Sequence, residues 1–188
     1  KTIKDLPSAE LTFITTPDDA INICANELAE NINIKKGDLI IHCSGVLSSD
    51  ELNCLQEKGC LVASLHPMRS FTNLNSTFNG SFCAIEGDVK ATLIIKSLFK
   101  PLELQFININ KNNKASYHCG GVFASNYLIS ILKQATLCYQ SSGIDSESAL
   151  KIASSLAQST LNNIEQTNSL ADSLTGPLAR FDLNTIEK

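Results

Sequence analysis

Residues 11–16 read LTFITT, residues 39–43 LIIHC and residues 60–65 CLVASL, and the spacing of these three short runs decides the fold. Each is apolar, rich in β-branched residues and too short for a buried helix, so each reads as a buried strand. Between the first two, Pro17, Asp18 and Asp19 make a turn and a helix start. Ile21, Cys24, Leu28 and Ala29 then recur at helical spacing, and Gly37-Asp38 turns the chain into the second strand. Between the second and third, Ser48 and Glu51 have capping-box spacing, Leu52 and Leu55 give an apolar face, and Gly59 is a natural residue to end the helix. Strand, helix, strand, helix, strand at such short spacing predicts a parallel βαβαβ arrangement.

Outward from this core, residues 81–86 predict another strand. Asp88 predicts the cap of a helix over residues 89–99, which Lys100-Pro101 ends, and residues 102–109 predict a last strand. The character then changes. Residues 115–142 carry one long helical pattern closed by Gly143, and Asp145 opens a second helix reaching about residue 164. The expected organisation is an α/β Rossmann-like parallel sheet over residues 1–110, followed by an all-α domain over residues 111–188. Val122, Phe123, Leu128, Ile129, Ile131, Leu132 and Ala135 make the first of these helices apolar on most sides, so it is expected to be covered by neighbours or by a second subunit. The chain opens at Lys1 without Met and stops at Lys188 as an ordered motif runs out, so both ends read as cut.

Composition narrows the function classes. Apolar residues at 43% and charged residues at 18% are ordinary for a globular protein. A net charge of −4 with no basic stripe argues against a nucleic-acid partner, and no apolar run has the length of a membrane span. The seven cysteines are odd in number, scattered, mostly inside apolar runs and without a CxxC pair. They read as buried small hydrophobes in a reducing compartment, which implies the cytoplasm, with no metal site expected.

Ligands of open parallel sheets bind outside the carboxyl ends of the strands. Three polar segments fall at such ends: Thr15-Thr16-Pro17-Asp18, His42-Cys43-Ser44-Gly45 and His66-Pro67-Met68-Arg69. Ordinary turn and capping chemistry accounts for any one alone; three on one sheet edge put a ligand site on equal terms. His42, inside a strand, reads as a hydrogen-bonded core residue, whereas His66 is held at a strand end by Pro67. His118, Val122 and Asn126 share one face of an α-helix. His118 and Asn126 therefore either serve one pocket or satisfy each other at a domain interface. Against thirteen lysines there are two arginines, Arg69 and Arg180, both beside polar turns. Carboxylate or phosphate binding and a structural salt bridge both explain such placement.

The segments PDDAI (17–21), HCSGVLSSDEL (42–52), SLHPMRSF (64–71), FCAIEGD (82–88), YHCGGVFASNYL (117–128) and LTGPLARFD (174–182) carry a resemblance that spans nearly the whole chain. The chain resembles bacterial Rossmann-like proteins with a C-terminal domain of unknown function, distant relatives of pyrroline-5-carboxylate reductase and of ketopantoate reductase. The resemblance implies a preceding βαβ unit with the glycine-rich fingerprint and further helix after residue 188, so the 188-residue chain alone is expected to be a poor enzyme. It implies an NADPH-dependent reductase (NADH not excluded) converting 2-dehydropantoate to pantoate for pantothenate and coenzyme A synthesis, in a cleft between the domains of a homodimer joined through its helices. Thr16, Pro17 and Asp18 would line the cofactor, with Ser44 and Gly45 near the nicotinamide. His118 is the first choice of proton donor, Lys114 the fallback, and Asn126 orients the substrate oxygen. His66, Arg69, Thr175 and Arg180 are the substrate-binding candidates. A non-catalytic nucleotide-binding scaffold or sensor, and a reductase of another 2-oxo acid or a cyclic imine, are the alternatives. Two departures from the family pattern stand out: Cys119-Gly120-Gly121 after the histidine, and Phe181 where the family usually has Gly.

Overall fold

The computed structural model describes residues 2–70 and 77–186. The chain divides into two compact units, Lys1–Phe123 and Ala124–Lys188. The sequence placed a domain boundary at residues 110/111, whereas the first helix after the sheet lies within the first unit.

The first unit holds strands β1 (Leu11–Ile14), β2 (Leu39–His42), β3 (Leu61–Pro67), β4 (Phe82–Gly87) and β5 (Gln105–Asn108), which form one sheet in sequence order. Pairing is parallel between β1 and β2, β2 and β3, and β4 and β5, as expected of a Rossmann-like sheet. β4 runs antiparallel to β3, which the strand pattern did not anticipate. Helices α1 (Asp18–Ala29) and α2 (Asn53–Gln56) cover one face, burying Ile14, Ile40 and Val62 against Ile21, Ala25, Leu28, Leu52 and Leu55. Helix α3 (Val89–Leu98) covers the other, where Ala91 and Ile95 meet Ile41, Leu65, Cys83 and Ile85. Such two-sided burial is why β2 and β3 read as nearly continuous apolar runs.

Two expected caps form differently. Residues Ser49–Leu52 wind as a 3-10 turn, so the Ser48 hydroxyl accepts from the Asp50 amide at 3.3 Å and no capping box with Glu51 closes. The Asp88 carboxylate leaves the start of α3 uncapped because it is engaged elsewhere, accepting from the Val62 amide at 2.9 Å and the Gln56 amide group at 2.6 Å. Gly59 takes the left-handed conformation expected of a helix-ending residue, with φ +87°.

The chain then enters α4 (Lys114–Gly121), a π-helical segment (Val122–Tyr127) and α5 (Leu128–Ser141). α-Helical winding ends at Gly121, so the spacing that put His118 and Asn126 on one face does not run unbroken between them. In the second unit α5 pairs with α6 (Ser146–Thr167), which Asp145 caps by accepting from the Glu147 and Ser148 amides at 3.1 and 3.0 Å. Ala149 and Ala153 of α6 are buried, but α5 has no buried residue. The apolar helix expected to be central thus exposes Ile129 and Ile131 within this chain.

Candidate active site at the carboxyl edge of the sheet

A row of polar side chains crosses the middle of the sheet. His42 lies opposite Ser64 in the β2/β3 register, and Ser64 opposite Glu86 in the β3/β4 register. Registered partners project to the same face, so three polar groups line up where the apolar floor of Ile40 and Val62 ends. All three are buried.

Lys114, the first residue of α4, lies against this row with only 2% of its surface exposed. Its ammonium donates to the Ser44 carbonyl at 2.9 Å and to the Ser64 hydroxyl, and it stands 3.6 Å from the Glu86 carboxylate. An ammonium has three N–H groups, and three acceptors surround this one. Burial pushes the Lys114 pKa down, while Glu86 pulls it back up. Glu86 is itself held by Ser49, whose amide and hydroxyl donate to the two carboxylate oxygens at 2.8 and 2.7 Å.

These contacts fix the loop after β2. The Ser44 hydroxyl accepts from the Val46 and Leu47 amides at 3.2 and 2.9 Å, a side-chain turn typical of serine. The Ser44 amide donates to His42 Nδ1 at 3.2 Å, and His42 Nε2 lies 3.0 Å from the Ser48 carbonyl. An amide can only donate and a carbonyl only accept, so His42 is the neutral Nε2–H tautomer. Burial, helped by the Lys114 charge, lowers its pKa to about 4. Its reading as a satisfied core histidine agrees with this geometry.

The loop presents Gly45 to two further imidazoles. A Cβ at Gly45 would lie 2.7 Å from His118 Nδ1 and 2.8 Å from His66 Nε2, closer than a methyl group tolerates. A side chain there would have to push one of the two rings aside. His66 Nδ1 is 2.6 Å from the Tyr117 hydroxyl with the rings nearly perpendicular, and the His66 and His118 ring centres are 6.2 Å apart. Burial lowers the His66 pKa, and the charges of Lys114 and His118 add to the effect while Asp18 opposes it. Burial raises that of Tyr117 to about 12.

The structure thus gathers Ser44, Gly45, His66, Lys114 and His118 around one point. Thr16, Pro17 and Asp18 are exposed where β1 passes into α1, and the Asp18 charge is felt at His42, His66 and Lys114. Arg69 is exposed, with its guanidinium 3.4 Å from the Ser81 hydroxyl rather than among these groups. Asn126, Thr175 and Arg180 belong to the second unit and are exposed there. Phe181 has φ +52°, the left-handed conformation that favours glycine. Glu86, Ser64, Ser49 and Tyr117 complete the site without having been singled out in the sequence.

The sequence pattern of the family described as Domain of unknown function (DUF2520) matches residues 81–188, more than half of the chain. The chain belongs to the DUF2520 family. A Rossmann-like domain pattern matches residues 3–67. Among solved structures, this DUF2520 chain is similar to protein TM1727 from Thermotoga maritima at 28% identity, with a TM-score of 0.78, covering 98% of this chain and 70% of that one. It is similar to protein BF3122 from Bacteroides fragilis at 17% identity, with a TM-score of 0.75 and coverage of 98% and 69%. It is also similar to a Plasmodium falciparum pyrroline carboxylate reductase with NADP bound, at 11% identity and a TM-score of 0.62, covering 100% of this chain and 72% of that one. The last two likenesses establish a shared fold. No curated protein matches the DUF2520 chain in sequence.

Proposed function

We propose that this chain carries the substrate-reducing part of an NAD(P)H-dependent reductase of small 2-oxo acids, with 2-dehydropantoate as the first candidate and pantoate as its product. The observation that carries the reading is the convergence of His66 Nε2 and His118 Nδ1 on the bare face of Gly45. That face lies just beyond the carboxyl end of a parallel strand, where ligands of this fold class bind.

The residues fit the nicotinamide end of a dinucleotide. Gly45 has no side chain to collide with the two imidazoles, so both ring nitrogens reach the backbone just past β2, beside which the nicotinamide is proposed to lie. The sequence has no G-x-G-x-x-G fingerprint, so no phosphate cradle of that kind is assigned to it. When bound, the cofactor supplies a hydride. Thr16, Pro17 and Asp18, with Ser44 and Gly45, are the proposed cofactor contacts, and NADP is the proposed form in keeping with the family resemblance.

His118 is the proposed proton donor to the oxygen of the reduced ketone. It is the more exposed of the two converging imidazoles, and imidazole is the side chain most often used for general acid–base work. His66 holds the same oxygen from the other side. Lys114, with its N–H groups already directed at Ser44, Ser64 and Glu86, supplies positive charge from beneath. Arg180, Thr175 and Arg69 remain the proposed partners of the substrate carboxylate, and Asn126 of its oxygen, on the family resemblance. A homodimer joined through the helical unit is proposed on the exposed apolar residues Ile129, Ile131 and Leu156.

The test is His118→Ala in the intact protein with cofactor binding checked separately. A general acid contributes roughly 10²–10⁴-fold, so turnover should fall by about that factor with cofactor affinity kept. Unchanged turnover would remove His118 from the mechanism and make Lys114→Met the next variant.

A further inference from the structure

His42 and His66 stand on neighbouring strands, and each has its Nδ1 engaged by a group from elsewhere in the first unit. For His42 that group is the Ser44 amide, and the tautomer follows without ambiguity. For His66 it is the Tyr117 hydroxyl at 2.6 Å. A phenol is a better hydrogen-bond donor than an imidazole N–H, and an imidazole nitrogen is a better acceptor than a phenol oxygen. Both groups are neutral near pH 7, since burial moves the tyrosine up to about 12 and the histidine below its ordinary value. The hydroxyl therefore donates to Nδ1, and the proton of His66 resides on Nε2, the nitrogen beside Gly45.

Resting on the reductase reading above, we propose that Tyr117 is a positioning residue that fixes His66 as a hydrogen-bond donor beside Gly45, so that the site selects an acceptor oxygen over a protonated imine. An iminium nitrogen brings a positive charge and, where protonated, an N–H that needs an acceptor; the Nε2–H of His66 offers it none. Lys114 supplies an independent reason of the same sign. Its buried ammonium, enclosed by Ser44, Ser64 and Glu86, makes the floor of the site hostile to a second cation and favourable to a carbonyl whose oxygen gains negative charge. Asp18 is the acidic group facing this region from α1, and Glu86 the one facing it from β4; Glu86 is already engaged by Ser49 and Lys114.

Tyr117→Phe removes the hydroxyl and keeps the ring that packs edge-on against His66, so the fold has reason to persist. Nitrogen-15 NMR of the imidazoles reads the tautomer directly, in the full chain and with no ligand added. The wild-type His66 should show the proton on Nε2, and the variant should show a mixture of both tautomers. A proton on Nδ1 in the wild type, or an unchanged tautomer in the variant, overturns the assignment. In the intact protein, kcat/KM for a 2-oxo acid should fall about tenfold in Tyr117→Phe, the effect of losing one oriented hydrogen bond. Cofactor affinity should not change, and the preference for the oxo acid over a cyclic imine should narrow. An unchanged preference overturns the selective role. A wild-type protein that reduces neither substrate overturns the reductase reading and the selective role with it, whereas the tautomer assignment stands or falls on the NMR alone.

Discussion

His42→Gln offers a quantitative test of the buried polar row. The native imidazole is held neutral by burial and by Lys114, with its pKa lowered from 6.5 to about 4. In the unfolded chain it titrates near the ordinary value. Above pH 6.5 both states carry a neutral ring, and His42 adds no pH dependence. As pH falls through 6.5 the unfolded chain binds a proton that the native state refuses, so stability declines until the native ring also protonates near pH 4. At about 1.4 kcal/mol for each pH unit between the two values, the loss reaches about 3 kcal/mol. Glutamine cannot titrate. The variant loses about 1–3 kcal/mol at neutral pH, because the Ser44 amide or the Ser48 carbonyl loses its partner. Its disadvantage should then shrink by about 3 kcal/mol between about pH 7.5 and pH 4. Urea unfolding of both proteins across that range measures the difference directly, and titrations common to both, such as that of His66, cancel. A difference that stays constant with pH would refute the claim that His42 is held neutral.

Gly45→Ala should leave the fold intact and lower turnover of the intact protein tenfold to a hundredfold, because the new methyl must displace His66 or His118 from the site; overpacking of this kind costs about 1–3 kcal/mol. Steady-state kinetics beside circular dichroism checks both halves of that statement. In the second unit, Asp145→Ala removes the acceptor of two amides at the start of α6 and should cost about 1 kcal/mol of stability, read as a lowered Tm.

The parts of the fold legible in the sequence are those decided locally. Asp145 caps a helix because its carboxylate needs only the two amides that follow it, and Gly59 ends a turn because no other residue takes its backbone angle so readily. Residues 39–43 and 60–65 read as strands because burial on both faces leaves nothing but apolar and β-branched residues. Asp88 misled because a carboxylate at a helix start has two competing uses, and the Val62 amide and Gln56 won it. The orientation of β4 depends on pairing across the sheet, which no single segment carries.

The site divides in the same way. His66, Ser44 and Gly45 were found because strand ends are marked by polar turns, and His118 and Lys114 because they open a helix. Glu86 and Tyr117 were missed. Glu86 did leave a signal: a lone carboxylate inside FCAIEG (82–87) is an expensive thing to bury and must have partners. Those partners, Ser49 and Lys114, are 37 and 28 residues away in sequence, so only the folded sheet reveals them. Tyr117 left no such mark, since an aromatic near a helix start is ordinary core material until its hydroxyl is seen against His66.

The most direct test of the central claim is NADPH oxidation by the intact protein with 2-dehydropantoate, beside a pyrroline carboxylate control. The account predicts robust oxidation with the oxo acid and little with the cyclic imine. Measurable cofactor binding with no oxidation of NADPH by either compound would contradict it.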